Sequence, residues 1–371
     1  MMAAAVRNSA SNGQLALAAG TTPRRRRPAA APRRTVAPTA QASSSSTVSG
    51  VEDKDKPDWT GNHMLSRIVN AAINFKPLFA LMKVGASSVM KSTAEKRGVA
   101  WGETVDALSK SEVYQIKEEI EDKAMVYPSY YTVPFHGYDT GNLSWLAAFE
   151  VEPAGEVMAL RVWKTEEQLT PLQAQTRLRK AIYDSIKGFM AQHSLAAPRD
   201  MIDVGCSVGV STRWLAAEWP QAAITGLDMS PYFLAVAELR ERQLGGGAGQ
   251  RQRIRYMHAN MESTGLPAGS FDLVAVQFVT HECPAAVIEN LIRECRRLLR
   301  PGGVLAIVDN NPRSKVIQNL PPVLFTLMKS TEPHTDEYYG FDIEDCMRAH
   351  DFQHVNTVES DPRHRVVLGH L

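Results

Sequence analysis

Residues 201–214 read MIDVGCSVGVSTRW, from Met201 to Trp214. An apolar run closes on Asp203-Val204-Gly205, passes through Cys206, Ser207 and Val208, and leaves at Gly209 into a helix-like pattern. A buried strand, a tight turn and a helix opening toward a ligand are written this way. Gly205 supplies backbone conformations that a Cβ forbids, and Gly209 permits close approach of backbone to ligand or strand. The first N–H groups of the following helix have no partners inside it, so the turn offers donors to a ligand.

The turn differs from a dinucleotide fingerprint. GxGxxG needs glycine at 207 and 210, where Ser207 and Val210 stand. Its form is D-x-G-x-S-x-G, and an acidic residue two positions before the first glycine favours a cation over a pyrophosphate. The next apolar run ends in Gly226-Leu227-Asp228, 23 residues after Gly205. A carboxylate there can accept from both hydroxyls of a ribose. The residues together describe a ligand with a ribose and a positive group, and no diphosphate.

From Asp200 onward, short apolar runs alternate with helical patterns. Strands are predicted at Met201–Val204, Ala222–Leu227, Ile254–Met257, Phe271–Phe278 and Val304–Val308, with helices at Ser211–Glu218, Pro231–Arg242 and Ala285–Leu299. Such alternation gives an α/β fold, a parallel sheet with helices on both faces and ligands at the carboxyl ends of the strands. Asp342–His350 reads as a helix, and Val355–Glu359 and Arg365–Leu368 as closing strands. Thr170-Pro171 reads as an N-cap and first helical position, opening a long helix that ends near Ser194.

Four stretches carry a resemblance: IDVGCSVG (Ile202–Gly209), ITGLDMS (Ile224–Ser230), SFDLVAVQFVTHE (Ser270–Glu282) and LLRPGGVLAIVD (Leu298–Asp309). In this order and spacing they resemble the class I S-adenosylmethionine-dependent methyltransferases, particularly the small-molecule branch with the type 11 domain. The resemblance covers about Thr170 to Leu371. It implies a Rossmann-like, seven-stranded, mostly parallel sheet whose last strand is antiparallel, and S-adenosyl-L-methionine as cofactor. It further implies that Asp203 lies near the methionine amino group. Gly205, Cys206, Ser207 and Gly209 would form the turn beneath the cofactor, Asp228 would hold the ribose, and Met229 would lie against the adenine. Asn260-Met261 stands where many members carry Asp-Ala; Asn260 could face the adenine amino group through its carbonyl. Gln277 and Phe278 would end the fourth strand beside the sulfonium.

His281-Glu282 follows that strand, where members often place groups facing the substrate. His281 is a candidate general base for an oxygen or nitrogen nucleophile, with Glu282 beside it; a helix N-terminal role is the alternative for Glu282. No second histidine completes HExxH, so no metal is expected. Tyr338-Tyr339, between the fifth strand and the tail helix, are candidate substrate contacts.

The region at about 56–165 reads as an accessory segment. Tyr127–Trp145 is dense in aromatics and turn formers, and Tyr131, His136 and Tyr138 are candidate substrate-binding residues in a pocket wall. Val157–Trp163 fits a short strand or a helical turn. Met64–Met90 is apolar on helical spacing, interrupted by Arg67, Lys76 and Lys83. It reads as a helix packed on the main domain, with peripheral membrane contact as the alternative. The run from Leu244 to Gln250 lacks the Lys-Ser/Thr of a phosphate loop and reads as a surface loop.

Composition bounds the rest. Residues 1–51 contain seven arginines and no Asp, Glu or Lys. The pattern reads as a transit peptide of about 50 residues, for a chloroplast with a mitochondrion as the alternative. Removing those seven from 41 basic residues leaves 34 against 40 acidic, a formal charge of −6, which argues against general nucleic-acid binding. Four cysteines without a CxxC pair indicate neither a disulfide framework nor a zinc knuckle. The chain is therefore expected to methylate a small apolar or aromatic acceptor. A non-catalytic scaffold on the same fold is the alternative.

Overall fold

A computed structural model describes residues 91–163, 168–244, 253–320 and 331–371. The expected transit peptide, the apolar stretch Met64–Met90 and the glycine run at 245–250 lie outside the described residues. Among the described residues, no helix is long and apolar enough to cross a membrane.

Seven strands form one sheet: β1 (Asp200–Val204), β2 (Ala223–Asp228), β3 (Ile254–His258), β4 (Phe271–Gln277), β5 (Leu299–Asn310), β6 (Gln353–Glu359) and β7 (His364–His370). Their order is β3-β2-β1-β4-β5-β7-β6. β1 to β5 pair in parallel, and β7 runs antiparallel to both β5 and β6. The strand order reverses between β1 and β4, so the crevice over their carboxyl ends is the place where such sheets bind ligands.

Alternation along the strands explains why the sheet is covered on both faces. Met201, Ile224, Leu273, Ala275 and Val304 point into one core with Ile182, Ile186 and Phe189. Ile202, Val204, Leu227, Val274, Val276 and Ile307 point into the other, with Ile288, Leu291 and Ile292. Each of these aliphatic side chains contributes about 1.5–3 kcal/mol when fully buried.

Residues before the sheet form helices α1 (Trp101–Ser109), α2 (Val113–Ile120), α3 (Trp145–Val162) and α4 (Pro171–Gln192). α4 begins as the sequence indicates. Thr170 Oγ1 accepts from Gln173 N–H at 3.2 Å while Gln173 Oε1 accepts from Thr170 N–H at 2.9 Å, a reciprocal cap with Pro171 in the first turn. α3 resolves the ambiguity at Val157–Trp163 in favour of helix. Its local signal is weak because Pro153 and Gly155 interrupt it and because it is buried on several sides, which blurs the 3.6-residue period.

Later helices include α5 (Val210–Glu218), α6 (Pro231–Gln243), α7 (Ala285–Leu298), α8 (Thr335–Gly340) and α9 (Ile343–Ala349), with a single turn at Lys315–Gln318 before α8. β5 starts earlier than the apolar run at Val304 suggests. Leu299 already pairs with Phe271, and the register shifts before Leu273 meets Val304, so Pro301-Gly302-Gly303 is an irregularity inside the ladder. Leu108, Val113, Ile116 and Phe149 of the first three helices pack with Val208, Phe233, Val236 and Leu239. The accessory helices thus cover α6 and the turn after β1.

Candidate functional site

The turn after β1 is held in an alternating left-handed conformation. Gly205, Ser207 and Gly209 have φ of +73°, +50° and +75°. A Cβ on Gly205 would lie 2.4 Å from Val279 Cγ2, and one on Gly209 would lie 2.3 Å from Tyr256 Oη. Both positions therefore exclude side chains on steric as well as dihedral grounds. The N–H groups of Gly205 and Cys206 donate to the Leu227 carbonyl at 2.7 and 3.0 Å, tying the turn to β2. Burial pushes the Cys206 thiol well above its ordinary range, so it is an inert wall.

Asp228 ends β2 beside this turn. Its Oδ2 accepts from Ser207 N–H at 2.8 Å, and its Oδ1 accepts from Ser230 N–H at 2.8 Å and from the Tyr131 hydroxyl at 3.4 Å. Burial pushes its carboxyl up to about 6 against the opposing pull of the two backbone donors. Asp203 is fully buried, and its Oδ2 accepts from Ser211 Oγ at 2.6 Å and Thr212 Oγ1 at 2.7 Å. Arg179, on the apolar stripe of α4, donates from Nη1 to Gln277 Oε1 at 2.7 Å, with its guanidinium 5.6 Å from the Phe278 ring centre. Phe278 itself has φ of +61°.

Buried polar atoms without a well-aligned hydrogen bond gather here: Asp203 Oδ1, Ser207 Oγ, Arg179 Nε, Gln277 Nε2 and Tyr256 Oη, with the Gln277 amide and the Arg179 charge near enough to Asp203 to oppose the rise that burial gives its carboxyl. Each such atom costs about 1–3 kcal/mol unless something bonds to it. The set matches the amino-acid part of the implied cofactor: a carboxylate oxygen for an ammonium group, and guanidinium and amide donors for a carboxylate. Asp228, beside the same turn, is the residue to which the resemblance gives the ribose.

The polar groups at the residues expected to face adenine are already engaged within the chain. Met229 and Met261 are buried in the core, and Asn260 Oδ1 accepts from Glu262 N–H at 2.9 Å. His258, at the end of β3, accepts at Nδ1 from Asp122 N–H (2.9 Å) and faces the Met229 carbonyl (2.9 Å) and Tyr127 hydroxyl (3.2 Å) through Nε2. This pattern fixes the neutral tautomer protonated at Nε2, and burial lowers the imidazole's pKa accordingly.

A second cluster lies beyond β4. Asp309, at the end of β5, accepts at Oδ2 from Thr280 Oγ1 (2.6 Å) and His281 N–H (3.0 Å), and His281 Nδ1 lies 2.8 Å from its Oδ1. Burial opposes a charged imidazole at His281. Asp309, with Glu332 and Glu282, outweighs burial and raises the ring to about 10. His136 Nε2 lies 3.8 Å from Glu282 Oε1 and 3.7 Å from Glu332 Oε1, and Asn142 Nδ2 donates to Glu282 Oε2 at 3.2 Å. Burial raises the Glu282 carboxyl. His136, His281 and Glu332 offer ligand atoms within 4.8 Å of one another.

The structure thus brings Asp203, Gly205, Cys206, Ser207, Gly209, Asp228, Gln277 and Phe278 together at the carboxyl ends of β1, β2 and β4, and His136, His281 and Glu282 into a second cluster. Tyr131 reaches Asp228. Tyr138 turns away and donates to Glu150 Oε2 at 2.7 Å, a contact that fastens α3. Tyr338 and Tyr339 are buried, and the Tyr338 hydroxyl donates to the Asn310 carbonyl. Arg179, Tyr256, Asn142, Asp309 and Glu332 are partners that sequence reading did not single out. Arg179 alone left a signal, a charge on the apolar stripe beside Leu178 and Ile182.

Residues 202–307 match the family model described as methyltransferase domain. The chain is 30% identical over 161 residues to the ubiquinone biosynthesis O-methyltransferase of Pseudomonas paraeruginosa, covering 43% of this chain and 62% of that one. It is 36% identical over 118 residues to the trans-aconitate 2-methyltransferase of Methylobacterium nodulans, covering 32% and 41%. The chain therefore spans less than two thirds of these curated relatives. Among solved structures it is similar to SibL, an S-adenosylmethionine-dependent methyltransferase, at a TM-score of 0.39 and 22% identity over 54% of this chain and 56% of that one.

Proposed function

We propose that this chain, which carries a class I S-adenosylmethionine-dependent methyltransferase domain, methylates an oxygen of a small, ring-bearing acceptor. The observation that carries the reading is the set of buried polar atoms without a well-aligned hydrogen bond around the turn after β1, on Asp203, Ser207, Arg179, Gln277 and Tyr256. S-Adenosylmethionine supplies, when bound, a methyl group already activated on a sulfonium. The chain's own work is alignment and exclusion of water. Asp228 accepts from the ribose, Asp203 Oδ1 takes the ammonium group, and Arg179 and Gln277 hold the carboxylate.

The acceptor reading rests on the second cluster. With its pKa near 10, His281 is an imidazolium at neutral pH and donates a hydrogen bond to the acceptor oxygen, favouring its ionised form. Glu282, whose carboxyl burial raises, is the proton acceptor, with Asn142 and His136 holding it in place. The name of the Pseudomonas relative specifies transfer to oxygen, which supports this choice. The acid-free, arginine-rich first 51 residues support import into a plastid. A fluorescent fusion of residues 1–60 that stays cytosolic would overturn that assignment.

The test is incubation with methyl-labelled S-adenosylmethionine and a panel of phenols and carboxylic acids. Label recovered as a methyl ether or ester supports the reading. No transfer to any acceptor, with cofactor binding retained, favours a scaffold.

A further inference from the structure

At the opposite end of the sheet from the crevice, three histidines from separate elements meet. His193 caps the carboxyl end of α4, His354 lies near the start of β6, and His370 ends β7. Their ring centres are 4.5 Å (His193–His354), 5.4 Å (His193–His370) and 5.2 Å (His354–His370) apart. Ligand nitrogens from all three lie within 4.8 Å of one another, and the grouping contains no carboxylate.

Two features show that the backbone is arranged around this meeting. His354 has φ of +51°, in the left-handed region that a histidine in a strand ordinarily avoids. It sits where the register between β6 and β7 shifts, between the Gln353–His370 and Asn356–Leu368 pairs, so one extra residue is accommodated on β6. Bulges of this kind re-aim a side chain out of the strand's alternation. Beneath the rings lies Phe189, buried, with its ring centre 4.6 Å from His193 and 6.1 Å from His370.

We propose that His193, His354 and His370 form a binding site for one borderline divalent metal ion, of which zinc is the probe, remote from the methyl-transfer crevice. Three imidazoles without thiolate or carboxylate suit zinc, nickel or copper and disfavour magnesium and calcium. Zinc–nitrogen bonds of about 2.0–2.1 Å put tetrahedral ligand nitrogens about 3.4 Å apart, within reach of small ring rotations here. Since each ligand comes from a different element, the ion would clamp the β6–β7 tail to the end of α4, a stabilising role and not a catalytic one.

The test is zinc titration of tag-free, chelator-treated protein by calorimetry, alongside His193→Gln and His354→Asn, the latter because asparagine accepts the left-handed backbone. The expected result is one zinc per chain, a zinc-dependent rise in melting temperature, and loss of at least about tenfold in affinity in each variant. Circular dichroism confirms that both variants are folded. His136→Asn distinguishes the other histidine grouping and is expected to leave this zinc in place. The proposal is overturned by no zinc binding tighter than about 100 μM in the parent protein. Unchanged binding in both variants, or loss confined to His136→Asn, also overturns it.

Discussion

The Tyr131 hydroxyl lies 3.4 Å from Asp228 Oδ1, so the aromatic accessory segment reaches the carboxylate proposed to hold the ribose. Asp228 Oδ2 also accepts from Ser207 N–H and Oδ1 from Ser230 N–H, so the phenol takes the second acceptor direction of Oδ1. A ribose therefore competes with the phenol for Oδ1. Tyr131→Phe keeps the wall and removes the competitor, and cofactor affinity is expected to rise by up to about tenfold, the worth of one such hydrogen bond. Weaker binding in that variant would show instead that the hydroxyl serves the cofactor.

Cofactor binding is expected to depend on acid. Burial raises the Asp228 carboxyl to about 6, so the carboxylate is present above that pH and is lost as pH falls through it. Affinity measured by calorimetry should hold from pH 7 to 8 and drop below about 6. In Asp228→Asn that dependence should vanish and affinity should be low throughout. A parent protein whose affinity is flat between pH 5 and 7 contradicts this role.

The His281–Asp309 pair should show in both stability and rate. His281 is raised to about 10 in the folded chain, above the ordinary imidazole value, so its contribution to stability is complete below about 6.5 and is lost as pH rises to about 10. Asp309→Asn removes the charge that holds the imidazolium. The alkaline limb of kcat/KM should move toward neutrality, and the stability lost between pH 7 and 10 should shrink. An unchanged pH profile with slower turnover would assign Asp309 to packing alone.

Gly209→Ala is expected to lower both the melting temperature and cofactor affinity. The new Cβ would lie 2.3 Å from Tyr256 Oη and 2.9 Å from Cζ, at φ of +75°. The left-handed backbone costs about 1–2 kcal/mol for an L-residue before any clash is counted. Pairing it with Tyr256→Ala should recover part of the stability, since the ring is the obstacle. No recovery would assign the loss to backbone strain alone.

The turn and the carboxylate beside it were legible because they are written locally. Gly205, Gly209 and Asp228 lie in short strand–turn–helix segments, the α/β alternation placed the five parallel strands, and the tail pattern placed the two closing ones. The second cluster was not, because its members come together only through packing. Asp309 and His281 meet because β4 and β5 are neighbours, and His136 and Asn142 reach Glu282 from 140 or more residues upstream. Tyr138, Tyr338 and Tyr339 illustrate the opposite difficulty: aromatic composition marks contact area without telling a wall from a core. α3 escaped detection because burial on several sides erased its period.

The most direct measurement is calorimetric titration of S-adenosylmethionine into the parent protein and into Asp228→Ala, with circular dichroism confirming that both are folded. The account predicts one cofactor per chain in the parent, in the micromolar range, and no measurable binding in the variant. Equal affinity in the two proteins would contradict the assignment of Asp228, and with it the placement of the cofactor over the turn at Gly205–Gly209.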